Sequence, residues 1–550
     1  MCGIFGYFIK NDKSSLDYPQ IFGNFMNSSG RGPDDCYFKY QKNKYFLGFH
    51  RLSINDVSSN GNQPFKFECE NGTTYTVICN GEIYNSEELK KLFPNYKFKS
   101  SSDCEVIIPL FMAHSYHFVS MLKGVFAFII IEEFYDGPIF KYNIITGRDR
   151  FGVRPLYKGK TENGNIVLGS EYKSLTSICD TCEQVKPGKV LKISNNGDKE
   201  TYHYYLETKN NPIKDDRFDF TLDKIKNMFT SAVIKRINNT DRPVCAFLSG
   251  GLDSSLVCAI SSKYLNETFP KRNLNTFAIG FENSTDLEYA KKVSEFIGSN
   301  HHEYIITKEQ AIKSIKDVIW AIESYDITTV RASVGQYLIS KYIADNTDFK
   351  VILSGDGSDE VCGGYLENYL APNLDEFKQN TFNRINNIYK YDVQRADRAT
   401  SIHGLEIRVP FLDHEFVEYY LSIPATERMP IKGVKMEKQL LRDAFKGYLP
   451  EYILYRQKEA FSDGISSKSD SWHNIIKDMC NDLFSEEECG NKLREYQNKN
   501  GVPPICKESL YYRIIFEQLF GDKHVNLLDD FWMQKWSNSD DPSARSLEIY

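Results

Sequence analysis

Short apolar runs set the rhythm of the first two hundred residues. Tyr45 to Leu52, Thr74 to Asn80, Gly124 to Ile131 and Ile139 to Arg148 are rich in β-branched and aromatic residues and predict strands. Clusters of Gly, Asn and Asp separate them. From Asn210 to Asp219 the chain turns polar and charged around Pro212, which predicts a linker. Beyond it the order becomes strand, loop, helix. Val244 to Ser249 predicts a strand, followed by a Gly-Gly turn and a helix from Asp253 to about Tyr264. Leu274 to Phe281 predicts a second strand. Thr285 to Glu288 reads as a capping box, and Leu287, Ala290, Val293 and Ile297 keep helical spacing up to Gly298. Lys350 to Ser354 predicts a third strand that runs into a polar, Gly-rich loop. Such alternation predicts a parallel sheet covered on both faces. After about residue 365 the pattern is mostly helical, and Ser537 to Tyr550 is polar and reads as mobile.

Composition narrows the class. The chain has 550 residues, with 41% hydrophobic and 26% charged, which describes a folded protein of several domains. A net charge of −7 argues against a general nucleic-acid or anionic-membrane binder. No apolar run approaches the ~20 residues of a membrane span. The N-terminus lacks a basic leader, so no secretory signal is read, and a cytoplasmic location is expected. Thirteen scattered cysteines then predict reduced thiols. Cys179 and Cys182 form a single CxxC with no matching pair, so no zinc site is read. His301-His302 sits at a strand start and reads as ordinary packing.

Chemistry concentrates at two places. Removal of Met1 would leave Cys2 with a thiol and an α-amine of reference pKa about 7.7–8.0, nucleophile and base in one residue. Gly3 and Gly6 allow close backbone approach beside it. Arg51, in His50-Arg-Leu-Ser-Ile54, suits a carboxylate. Asn80-Gly81 offers a side-chain amide and a backbone N–H, the donors an oxyanion hole needs. Asp103 could pair with an ammonium, so that Arg51 and Asp103 would grip the two charges of an α-amino acid. Further on, Leu248-Ser-Gly-Gly-Leu-Asp-Ser-Ser255 reads as an anion cradle at a helix N-terminus, without the Walker GK[ST]. Ser354-Gly-Asp-Gly-Ser-Asp-Glu360 lies on the same expected edge, and its carboxylates suit Mg²⁺.

These motifs carry a resemblance. Cys2-Gly-Ile-Phe-Gly, Arg31-Gly-Pro-Asp-Asp, His50-Arg-Leu-Ser-Ile, Asn80-Gly-Glu-Ile-Tyr-Asn and Gly147-Arg-Asp-Arg-Phe-Gly-Val-Arg-Pro-Leu-Tyr resemble a class II glutamine amidotransferase domain. That family implies an α+β N-terminal-nucleophile hydrolase fold, with two antiparallel sheets between helix layers, here over residues 2–208. It implies Cys2 as the glutaminase nucleophile and Asn80 with Gly81 as the oxyanion hole. Arg51, Leu52, Ile54, Asn80, Glu82 and Asp103 would line the glutamine pocket.

The Leu248–Ser255 loop resembles that of the ATP pyrophosphatases. Together the two halves resemble the glutamine-hydrolysing asparagine synthetase family, eukaryotic in wording. Further matches are Glu323-Ser-Tyr-Asp-Ile-Thr-Thr-Val-Arg-Ala-Ser333, Gly363-Gly-Tyr365, His403 to Asp413, Arg456 to Gly464 and Asp541 to Arg545. The resemblance implies an α/β synthetase domain over residues 209–550, with a parallel sheet and a helical C-terminal part. It implies that Leu248, Ser249, Gly250, Gly251, Asp253, Ser254, Ile279, Ser354 and Gly355 contact ATP. Asp253 and Asp359 would hold Mg²⁺ with pyrophosphate, and Thr328, Thr329 and Arg331 would hold aspartate. Lys458 would contact phosphate or the intermediate, and Asp356 would be catalytic. The implied reaction makes asparagine from aspartate, ATP and glutamine-derived ammonia through β-aspartyl-AMP, with an internal tunnel and a homodimer expected. Asp356 departs from the family, which usually has Glu there. Its carboxylate is one methylene shorter, so weaker synthesis or looser coupling is expected.

Rival readings stay open at this point. They are another class II amidotransferase, a β-lactam synthetase, a non-catalytic glutamine reporter, and a glutaminase with a decayed second site.

Overall fold

A computed structural model describes residues 1–10, 17–195, 199–204, 218–270, 272–457, 466, 471–537 and 542. The chain forms two compact units. One comprises Met1–Glu207, Asn239–Arg242 and Ser401–Glu406, and the other comprises Thr208–Asn238, Pro243–Thr400 and Ile407–Tyr550.

The first unit holds two antiparallel six-stranded sheets. One has the order β10 (Thr181–Gln184), β8 (Tyr157–Lys160), β9 (Ile166–Gly169), β1 (Gly3–Phe8), β3 (Tyr45–Arg51), β2 (Asp35–Gln41). The other has the order β12 (Lys199–His203), β11 (Lys189–Ser194), β7 (Ile139–Arg148), β6 (Gly124–Asp136), β5 (Thr74–Ile83), β4 (Phe65–Glu68). Period-2 alternation gives β5 and β6 two apolar faces. Ile78, Ala127, Ile129 and Ile131 meet Ile4, Phe8, Leu47 and Phe49 between the sheets. Val77, Cys79, Ile83, Phe126 and Phe128 pack outward with Ile107, Leu110 and Phe111 of the helix Ile107–His114. On the far side of the first sheet the helix Tyr18–Met26 lays Phe25 on His50, with ring centroids 4.0 Å apart, and against Phe5 and Phe46. The result is the expected α-β-β-α sandwich.

The strand expected to end at Asn80 runs on to Ile83. Gly81 and Glu82 keep their register with Phe126 and Val125, so the polar stretch is strand interior rather than a turn.

The second unit holds a five-stranded sheet in the order β15 (Asn300–Ile305), β14 (Asn275–Gly280), β13 (Val244–Phe247), β16 (Val351–Leu353), β17 (Glu406–Arg408). The first four pair in parallel. Helices Leu252–Thr268, Thr285–Ile297 and Ile327–Asn346 connect them, and the chain after residue 365 is mainly helical, as expected. Because β13 is flanked by β14 on one side and β16 on the other, the chain order reverses there. In open α/β sheets that switch point opens a crevice beyond the strand ends.

Two expectations on local structure change. Ser284, not Thr285, caps the helix Thr285–Ile297, its hydroxyl accepting from Leu287 N at 3.3 Å. A serine one residue earlier reaches the first turn better than a threonine already inside it. Phe218 and Asp219 belong to the helix Phe218–Asn238. The rest of the expected linker, 210–217, lies outside the described residues, as does the polar C-terminal stretch apart from Ser537 and Pro542. His301 and His302 sit on β15, where His302 stacks on Phe277 at 4.7 Å.

Candidate functional site

The first cluster gathers around Cys2, just before β1. Its thiol lies 3.8 Å from the carbonyl oxygen of Leu52, and burial pushes the thiol pKa up to about 11. The residue before it is buried too. The Met1 amine lies 3.7 Å from Glu406, and burial pulls its pKa below the ordinary value. Arg31 Nε donates to the Cys2 carbonyl at 2.9 Å and Arg31 Nη1 to Ser401 at 2.9 Å. Arg154 pairs with Glu406 at 3.1 Å. With Met1 in place the Cys2 nitrogen is an amide and its thiol stays protonated at neutral pH.

Strand β5 brings Asn80 and Glu82 to the face shared with Ile78, toward the first sheet. Asn80 is fully buried, and among the described residues neither its amide nitrogen nor its amide oxygen has a partner. Leaving such a group unsatisfied costs about 1–3 kcal/mol, so a native fold keeps one only for a reason. Glu82 is 4% exposed, and its Oε2 accepts from Asn55 at 2.6 Å and Asn239 at 2.7 Å. Its charge is felt at Cys2. Asp103 accepts from Ile83 N at 2.6 Å. Leu52 and Ile54 are buried as well. Arg51 departs from expectation. Its guanidinium donates to Ser58 O at 2.8 Å, and also to Asp56 O and Asn62 Oδ1, so it braces its own loop rather than standing open to a carboxylate.

The second cluster is a pocket of about 260 Å³ at the ends of β13, β14 and β16. Leu248, Ser249, Gly251, Asp253, Ser254, Ile279, Thr328, Ser354, Gly355, Asp356 and Asp359 all line it. Gly250 lies behind the wall. Its φ is +74°, and a Cβ there would sit 2.5 Å from the backbone of Tyr289 and Ala290, so the turn and the close helix both demand glycine. Thr328 presents a buried hydroxyl oxygen without a partner among the described residues. Its neighbours do not join it. Thr329 donates to the capping Asp326 at 2.6 Å. Arg331 forms a buried bidentate pair with Glu508 at 2.8 and 2.6 Å. The aspartate clamp expected of Arg331 is therefore occupied by a carboxylate of the chain itself. Lys458 lies outside the described residues.

The pocket also holds charged groups that the sequence reading missed. Lys438, 2% exposed, lies 2.6 Å from Asp253 and 2.5 Å from Asp359. Burial works against its charge, but the two carboxylates outweigh it and hold the ammonium above its ordinary pKa. A Cβ at Gly364 would fall 2.0 Å from the Lys438 stem and 2.2 Å from Asp359, so only glycine leaves room for this bridge. Arg395 grips Asp356 at 2.7 Å and Gln336 at 2.6 Å. Burial, with the charges of Asp392 and Asp359, raises the Glu360 carboxyl well above its usual range. Asp253 and Asp359 are hard oxygen donors brought together at one cation. That arrangement fits Mg²⁺, which takes one or two carboxylates together with substrate phosphates.

Fold and clusters define a class: an N-terminal-nucleophile fold with a cysteine ahead of its first strand, followed by an α/β unit with a pocket at the switch point of its sheet. Residues 1–208 match the family described as a glutamine amidotransferase domain. Residues 224–384 and 368–538 match the family described as asparagine synthase. The asparagine synthetase [glutamine-hydrolyzing] of Cricetulus griseus is 40% identical over all of this chain and 99% of its own length. That of Homo sapiens is 39% identical over the same shares. A probable asparagine synthetase [glutamine-hydrolyzing] of Acanthamoeba polyphaga mimivirus is 38% identical over the whole of both chains. The chain belongs to the glutamine-hydrolysing asparagine synthetase family.

Proposed function

We propose that this protein makes asparagine from aspartate, with ATP as the energy source and the amide nitrogen of glutamine as ammonia donor. The observation that supports it most is a joint one. The loops Leu248–Ser255 and Ser354–Glu360 converge on one pocket, in a chain that also keeps Cys2 and a buried Asn80 amide without a partner among the described residues.

In the first half-reaction, loss of Met1 turns the Cys2 nitrogen into a free amine that accepts the thiol proton. The thiolate attacks the glutamine side-chain amide. Asn80 Nδ2 and Gly81 N–H stabilise the oxyanion, and ammonia leaves with the transferred proton. Water then opens the thioester to glutamate. Leu52, Ile54, Glu82 and Asp103 position the substrate, and Arg51 fixes the loop that carries Leu52 and Ile54.

In the second, the aspartate β-carboxylate oxygen attacks the ATP α-phosphorus. The bond to the bridging oxygen breaks and pyrophosphate leaves, giving β-aspartyl-AMP. The helix N-terminus after Gly251 and the Ser249, Ser254 and Ser354 hydroxyls cradle the phosphates. Asp253 and Asp359 would hold Mg²⁺, which when bound supplies charge neutralisation at the phosphates. Ammonia then attacks the acyl carbon, AMP leaves, and Asp356, steered by Arg395, takes the surplus proton. Thr328 contacts aspartate. Tracing the amide nitrogen of labelled glutamine into asparagine tests the whole sequence.

A further inference from the structure

The glutamine pocket draws on a segment far along the chain. Residues Asn239–Arg242 follow the helix Phe218–Asn238 and belong to the first compact unit, although the amidotransferase match stops at residue 208. All but Thr240 bond to the glutamine-pocket walls. Asn239 Nδ2 donates to Glu82 Oε2 at 2.7 Å, the same oxygen that Asn55 holds. Asp241 accepts from Asp56 N at 2.8 Å, and its own N–H donates to Ile54 O at 3.0 Å. Arg242 Nε donates to Ser53 O at 2.9 Å.

The loop they hold is strained. Asp56 has φ +51°, a left-handed conformation that a non-glycine residue keeps only when its surroundings fix it. Asp241 takes its N–H, Arg51 takes its carbonyl, and Ser101 N binds its carboxylate at 2.8 Å. Two amides on one carboxylate oxygen also fix the plane of Glu82.

The geometry points to Asn239–Arg242 as a positioning element of the glutamine site, with Asn239 setting the carboxylate of Glu82 for the substrate. It rests on the glutamine-hydrolysis reading above, and it makes that site incomplete within residues 1–208.

The test is steady-state glutamine hydrolysis by the full chain carrying Asn239→Ala or Asn239→Asp, with thermal melting as the fold control. Asp matches Asn in shape but sets a carboxylate against a carboxylate. Losing a hydrogen bond to a charged group is expected to raise KM for glutamine roughly 10- to 100-fold, with kcat held within about threefold. Asn239→Asp is expected to be at least as impaired as Asn239→Ala. An unchanged KM in both variants overturns the inference. So does impairment in Asn239→Ala alone, which makes Asn239 a packing residue. Absence of hydrolysis in the parent protein, freed of Met1, overturns the glutaminase reading itself and takes this inference with it.

Discussion

Lys438→Met removes the ammonium between Asp253 and Asp359 while keeping most of the side-chain volume. Lys438 is 2% exposed and the two carboxylates 21% and 19%. Breaking a fully buried ion pair costs about 3–5 kcal/mol, because a charge is left without its partner. Here each carboxylate keeps about a fifth of its water contact, which screens the loss to about 2–4 kcal/mol. At roughly 2 °C per kcal/mol for a large domain, the melting temperature should fall by about 4–8 °C. A second consequence concerns the metal. With the ammonium gone, the paired carboxylates need another cation, so millimolar Mg²⁺ should raise the melting temperature of the variant more than that of the parent. Scanning fluorimetry at pH 7 with and without Mg²⁺ reads both effects. A variant that melts within about 1 °C of the parent, with the same response to Mg²⁺, would refute the bridge and with it the assignment of Asp253 and Asp359 to one cation.

Three further outcomes are expected. Asp356→Glu lengthens the carboxylate that Arg395 holds at 2.7 Å, and should raise the asparagine-to-glutamate product ratio; an unchanged ratio and synthetic rate remove the idea that Asp356 limits coupling. Arg331→Met strands the buried Glu508 and should cost about 3–5 kcal/mol in a denaturant titration. A loss confined to KM for aspartate, with stability intact, would restore the clamp role. Burial raises the Asp326 pKa to about 6 against bonds from Thr329 and Trp532 that lower it. The native state therefore binds a proton that the unfolded chain releases from about pH 4, and stability should fall by about 3 kcal/mol as pH rises from 4 to 6. Asp326→Asn should flatten that part of the stability profile, and a profile it leaves untouched contradicts the assignment.

Local chemistry was legible in the sequence, and long-range pairing was not. Ile139–Arg148 is a strand over the range its β-branched run predicts, and both Gly-rich loops sit where the strand–loop–helix rhythm puts them. Strand β5 ran past its apolar pattern because Asn80 and Glu82 occupy interior positions that an apolar residue would normally fill. That substitution is itself the mark of the site. Lys438 and Arg395 carry no such mark. Each is a charged residue in a polar or helical run, and burial depends on partners 185 and 39 residues away. Arg331 reads as a carboxylate clamp until Glu508, 177 residues on, is seen against it. Asn239 meets Glu82 across 157 residues, outside the stretch whose motifs announce a glutamine site.

The most direct measurement of the central claim uses glutamine labelled with ¹⁵N at the amide, aspartate and Mg-ATP, with the full chain freed of Met1. The account predicts labelled asparagine, with AMP, pyrophosphate and asparagine in equal amounts and at least as much glutamate. Glutamate without asparagine or AMP would contradict it, leaving a glutaminase whose second pocket does not make the acyl-adenylate.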